Sequence, residues 1–277
     1  MNDRWLRESV HHTDCEVCRR TGVGNPLVAT THPQPQRSRM SEPEPATVLD
    51  ARLGMTRLTP AGPSHPFNLC FHGIGTPERE LEVGEEEFWL ELDQFEEMLT
   101  VIRRHPFINV TIDDGNASDL THALPALLEH DLTATFFIVA ERIDAPGALS
   151  TEGIRTLVRS GMRIGTHGLA HRPWRSLRGH RLEAEMRAAR IIAEVARSPV
   201  REAACPFGSY DRRVLRALRR HGFTRVYTVD RGRAHRGAWL QPRYTVRRDD
   251  TAADLERLAY PLRTSRIGMR TLIKRLR

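Results

Sequence analysis

Lysine is almost missing from this 277-residue chain: Lys274 stands alone among 42 lysines and arginines. The formal net charge of +7 is therefore an arginine charge. Those arginines alternate with acids along the chain and form no basic stripe with interleaved aromatics, which argues against a nucleic-acid groove. A mild attraction to anionic glycans or lipid headgroups stays open. Long apolar runs are also absent. No stretch approaches the roughly twenty residues a membrane span needs, and the N-terminus has no apolar core of a secretory signal. The cytoplasm is the expected compartment. Cysteine is scarce: Cys15, Cys18, Cys70 and Cys205 make no disulfide framework for a chain this long.

The length suits one large α/β domain or two small ones. Residues 1 to 60 read as a disordered lead-in, with Pro33, Pro35, Pro43 and Pro45 among polar residues and little periodicity. Within it His11-His12-Thr13-Asp14-Cys15-Glu16-Val17-Cys18 offers zinc ligands, but a CxxC without a second CxxC reads first as a disordered segment. Met40 is an alternative start. There is no internal repeat. The catalytic domain is expected over residues 64–277.

From there strands and helices alternate. Strands are expected at 67–72, 107–112, 133–139, 162–165, 200–205, 224–229 and 244–247. Helices are expected at 92–103, 120–129 (with Pro125 an irregularity), 151–160 and 180–197. In the last of these Leu182, Met186, Ala189, Ala193 and Ala196 recur at helical spacing. The near-continuous apolar run Thr133–Val139 suits a strand covered on both faces. Repeated βα units imply a parallel sheet or barrel, whose sites gather at the C-terminal ends of the strands.

Chemistry concentrates at such ends. Thr111-Ile112-Asp113-Asp114-Gly115 puts two adjacent carboxylates after a β-branched run. Taken alone, Asp-Asp-Gly is an ordinary turn. Burying two unpaired carboxylates costs several kcal/mol each, roughly, and a metal or a shared proton offsets it. Gly165-Thr166-His167-Gly168-Leu169-Ala170-His171 supplies two imidazoles, and His72 and Cys205-Pro206-Phe207-Gly208 close two further strands.

The order TIDDG, HGLAH, CPFGSYD resembles the polysaccharide deacetylase superfamily (NodB homology domain, carbohydrate esterase family 4) over residues 67 to 247. The resemblance implies a distorted (β/α)7 TIM-like barrel. It implies Asp113 as the catalytic base and Asp114, His167 and His171 as ligands of a divalent metal, zinc first, with Co²⁺, Ni²⁺ or Fe²⁺ also compatible. Ala204 stands where the family's third motif has arginine, and Phe207 stands where it has tyrosine. No Asp-x-x-Asp-Trp motif and no C-terminal Leu-x-His follows. His72, on an early strand, is similar in placement to the catalytic histidine of a permuted subgroup and is the expected general acid, with His235 the weaker substitute.

The implied activity is hydrolysis of N-acetyl groups on N-acetylated sugars of a glycan, with the Phe207 N–H as oxyanion donor. Trp174, Tyr210, Asp230 and Arg243 are expected to contact substrate, Arg243 alternatively bracing Asp113. Trp174, like Trp89 and Trp239, reads more readily as core than as a sugar platform, and Cys205 as an inert buried thiol. An O-acetyl esterase sharing the same tetrahedral intermediate, and an inactive glycan-binding homologue, are the rival readings. The sugar and the oligomeric state are left open.

Overall fold

The computed structural model describes residues 65–259. The lead-in, the Cys15/Cys18 segment and Met40 lie outside these residues. Seven parallel strands close into a barrel in chain order: β1 (Phe67–Phe71), β2 (Ile108–Asp114), β3 (Ala134–Ile138), β4 (Arg163–Thr166), β5 (Glu202–Ala204), β6 (Arg225–Thr228) and β7 (Leu240–Thr245). β7 returns to pair with β1, Asn68 facing Arg243 and Cys70 facing Thr245. The expected (β/α)7-type barrel is observed. Six helices accompany the strands: α1 (Leu92–Arg104), α2 (Leu124–Glu129), α3 (Thr151–Arg159), α4 (Gly179–Ala196), α5 (Arg212–Arg220) and α6 (Ala252–Ala259). No helix among the described residues is long and apolar enough to cross a membrane.

Period-two alternation sorts the strand residues. Phe71, Ile112, Phe136 and Ile138 face outward into the main core with Phe95, Met98, Leu99, Ile154 and Leu157 of the helices. The barrel interior is largely polar. At its lower end Asn68 donates to the Gln241 side chain (3.1 Å) and accepts from Asn109 (2.8 Å). Higher up, Phe137, Ala204 and Tyr227 pack together. A second apolar cluster, including Trp174, Leu182, Met186, Val214, Leu218 and Phe223, fills the space under α4 and α5.

Four expectations are corrected. The second strand runs through both aspartates to Asp114 rather than stopping at Ile112, because Asp113 and Asp114 pair in register with Phe137 and Ile138. The expected helix from Leu120 begins as a wide π-turn over Asp119–Ala123, and Pro125 sits in the first turn of α2, where its missing N–H costs nothing. The last strand lies at 240–245 rather than 244–247. Helix α5 was not foreseen: five of its nine residues are arginine, yet Val214, Ala217 and Leu218 make a buried face and Asp211 caps its Arg213 and Val214 amides.

Candidate active site

The carboxylates sit at the C-terminal mouth. Strict alternation would turn Asp114 to the opposite face from Asp113. Instead Asp114 adopts φ +81° and Gly115 φ +71°, which swings the Asp114 side chain back into the mouth. A non-glycine residue held there costs on the order of 1–3 kcal/mol, a strain that recurs at functional sites. Both aspartates are 2% exposed.

Their surroundings differ. Asp113 lies in a bidentate pair with Arg243 of β7, Nη1 to Oδ1 and Nη2 to Oδ2, both 2.7 Å. Arg243 Nη1 also donates to Thr111 Oγ1 at 2.9 Å, and its guanidinium lies near the Phe137 and Tyr227 rings. Burial alone would raise the Asp113 pKa, but Arg243 and then His167 hold it well below the usual carboxylate range. Asp114 is also lowered: burial pushes it up, and His72, His171 and His167 pull it further down. Its Oδ1, however, is buried with no hydrogen-bond partner among the described residues.

That orphaned oxygen faces the histidines. His171 Nε2 is 3.3 Å away and His167 Nε2 3.7 Å, and one donor atom from each of the three residues falls within a 4.8 Å cluster. His167 is 2% exposed, and its Nδ1 lies 3.0 Å from the Ala204 carbonyl. The carbonyl can only accept, so Nδ1 carries the proton and the Nε2 lone pair points at the carboxylates. Burial first, then His171 and Arg243, outweigh the pull of the aspartates and lower the His167 pKa to about 4, so the imidazole is neutral at pH 7. One carboxylate and two imidazoles around that oxygen fit a divalent cation.

His72 follows β1. Its Nδ1 is buried with no hydrogen-bond partner among the described residues, its ring lies 5.3 Å from that of Phe88, and it clusters with Cys70 and Asp113 within 4.8 Å. Trp89 packs over Gly73, where a Cβ would meet the indole at 2.2 Å, so Trp89 belongs to the core. Phe207 has φ +55° and stacks its exposed ring 4.5 Å from His171. The next residue must be glycine, since a Cβ on Gly208 would fall 2.1 Å from Val229. His72, Asp113, Asp114, His167, His171, Cys205, Phe207 and Asp230 line one cleft of about 650 Å³.

Several expected residues are placed elsewhere. Trp174 is 0% exposed in the second core cluster, its indole donating to Glu185, so it offers no face to a sugar. Arg243 is fully buried, is paired with Asp113 and does not line the cleft, which favours the bracing alternative over substrate contact. Tyr210, 1% exposed, donates its hydroxyl to Asp230, which also accepts from Thr228 at 2.9 Å. Asp230 alone of these four lines the cleft. His235 lies against His65, ahead of β1 and at the opposite end of that strand from His72, which removes it as substitute acid. Two residues went unforeseen. Arg142, just after β3, stands 4.0 Å from Asp114 Oδ1, and its strand-end position was the available signal. Glu82, in an acid-rich stretch that reads as a solvated loop, reaches both Arg142 and His171.

The fold is thus a closed parallel α/β barrel with a histidine–carboxylate cluster at its C-terminal mouth. The polysaccharide deacetylase family model matches residues 101–226. YxkH of Bacillus subtilis (strain 168), a protein named for polysaccharide deacetylase, is 23% identical over 139 residues, half of each chain. The match thus spans about half the length of that curated relative. Among solved structures, the deacetylase PplD of Streptococcus pyogenes, in complex with acetate, superposes with a TM-score of 0.64 at 16% identity, over 71% of this chain and 99% of that one. IcaB from Ammonifex degensii gives 0.61 at 22%, over 72% and 98%. Over residues 101–226, a little under half its length, the chain is similar to the polysaccharide deacetylase family.

Proposed function

We propose that the protein is a divalent-metal-dependent hydrolase that removes N-acetyl groups from N-acetylated sugars of a polysaccharide or glycan precursor. The observation that carries this reading is the unequal treatment of adjacent carboxylates. Asp113 is saturated by an arginine, while Asp114 keeps an oxygen with no hydrogen-bond partner among the described residues, facing two imidazoles. Asp114, His167 and His171 would hold the cation, with Zn²⁺ the best match to the donor set. When bound, such a cation supplies Lewis acidity and lowers the pKa of a coordinated water.

The chain's own groups do the rest. Asp113, kept ionised by Arg243, takes the proton as a water oxygen attacks the acetamide carbonyl. The Phe207 N–H donates to the developing oxyanion, a contribution of about 2.7–4 kcal/mol per donor in other enzymes. His72, within reach of Asp113 and open to the cleft, protonates the sugar nitrogen as the C–N bond breaks, leaving acetate and a free amine. Asp230, fixed by two hydroxyls, is placed to bind a sugar hydroxyl. Acetate release from matched N-acetylated and O-acetylated oligosaccharides, with metal-loaded protein, tests the reading. Release from the N-acetylated set is expected. Release only from the O-acetylated set overturns it.

A further inference from the structure

The segment between β1 and α1 contributes to the mouth although it lies outside the stretch matched by the family model. Three ion pairs order it, one within the segment and two to loops of the barrel. Arg79 pairs with Glu85 and donates to Asn116 Oδ1 (3.0 and 2.8 Å), Arg247 beyond β7 pairs with Glu87 at 2.9 Å, and Arg142 beyond β3 pairs with Glu82. The first two anchor the segment. The third brings a carboxylate to His171.

We infer that Glu82 is a positioning residue for the metal site, holding His171 by its far nitrogen. His171 turns Nε2 toward Asp114 at 3.3 Å, while its Nδ1 lies 3.3 Å from Glu82 Oε2 and 3.4 Å from Oε1. An imidazole that ligates through Nε2 carries its proton on Nδ1 and needs an acceptor there, and a carboxylate in that place fixes both tautomer and ring plane. Arg142 Nη2 is also 3.4 Å from Nδ1. Two donors cannot bond each other, so Glu82, accepting from both, is the group that reconciles them. His171 needs such support. Its backbone is left-handed, φ +49°, in a loop with no strand partner, whereas His167 is fixed by Ala204. Glu82 also detains Arg142, whose buried Nη1 has no hydrogen-bond partner among the described residues and stands 4.0 Å from Asp114 Oδ1. Released, that guanidinium can swing onto the oxygen the cation needs.

The inference rests on the proposed metal site, and metal affinity tests the two separately. Zn²⁺ affinity by competition with a chelating dye, and the visible spectrum of the Co²⁺-loaded protein, are measured for wild type, Glu82→Gln, Glu82→Ala and Glu86→Gln. Glu86 is an exposed acid four residues on, and it controls for the loss of one negative charge near the mouth. Glu82→Ala is expected to weaken Zn²⁺ binding about 10- to 100-fold, as loss of such partners does elsewhere. It should also alter the Co²⁺ bands. Glu82→Gln, which keeps a carbonyl acceptor, should fall between Glu82→Ala and wild type, and Glu86→Gln should stay within about threefold of wild type. Unchanged affinity in both Glu82 variants, or an equal loss in Glu86→Gln, overturns the inference alone. A wild type that binds neither cation overturns the metal site and this inference together.

Discussion

The two sides of the barrel hold their functional residues by different means. On the aspartate side the ladders are long: residues 67–71 pair with 108–112, and 110–114 with 134–138. On the histidine side, β4 and β5 meet only at Thr166 opposite Ala203. Main-chain pairing therefore fixes Asp113 and Asp114 directly. His167 is fixed by a clamp instead, its N–H donating to Ile138 (2.7 Å) and its Nδ1–H to Ala204 (3.0 Å). One side can lose packing and keep its chemistry; the other can lose geometry with little loss of core.

The largest effect should come from the aspartate side. Asp113→Asn removes the base but no metal donor, so turnover should fall toward the upper end of the 10²- to 10⁴-fold range typical of general acid–base groups. Metal content, read by elemental analysis, should stay near wild type. Asp114→Asn should lose metal as well as turnover. Equal metal loss in both variants would mean the roles are misassigned.

His72→Ala comes next. Deacetylation of an N-acetylated sugar should fall about 10²-fold or more, since an amine must be protonated to leave. Nitrophenyl acetate, whose leaving group needs no proton, should be hydrolysed at a much closer to wild-type rate. Loss of both activities in equal measure would instead give His72 a structural role.

The seam itself can be strained. Ala204 is fully buried between Phe137 and Tyr227, and its carbonyl holds His167. Ala204→Val should cost about 1–3 kcal/mol by overpacking, and metal affinity should fall with it. On the ladder side Ile112→Val should cost about 0.5–1.5 kcal/mol and leave metal affinity unchanged. Denaturant melts and metal titrations of the two variants separate packing from geometry. If both lose affinity alike, the contrast between the sides is wrong.

This contrast also explains what the sequence could and could not disclose. Strand ends announce themselves through apolar runs broken by Gly, so Asp113, Asp114, His167, His72 and Phe207 were legible, as was the alternating architecture that gathers them. The partner of Asp113 was only half legible. An arginine was missing at Ala204, and nothing local says that Arg243, two strands away in sequence, enters the interior near Phe137 and Tyr227. Trp174 and Tyr210 could not be assigned from sequence alone, because aromatics near a motif fit both the core and the cleft until burial is known. Glu82 gave no signal, since its role depends on ion pairs between distant loops.

The last comparison concerns Asp119, in the π-turn just beyond the aspartates. It is 0% exposed, and both carboxylate oxygens lack hydrogen-bond partners among the described residues. Burial, then the charges of Asp114 and Asp113, push its pKa well above the usual carboxylate value. The folded chain thus binds a proton that the unfolded chain releases near pH 4. Where the folded state binds more protons, stability falls as pH rises, by at most about 1.4 kcal/mol per unit for one group, until the folded-state pKa is passed. His167, with its lowered pKa, works the other way between about 6.5 and 4, where stability rises with pH. Asp119→Asn removes the first slope and leaves the second. In metal-free protein its unfolding free energy relative to wild type should therefore climb with pH from about pH 4 upward. Below that the difference should be flat, since both states of wild-type Asp119 are then protonated. A difference between the two proteins that does not change with pH would mean that Asp119 ionises as readily in the folded chain as in the unfolded one.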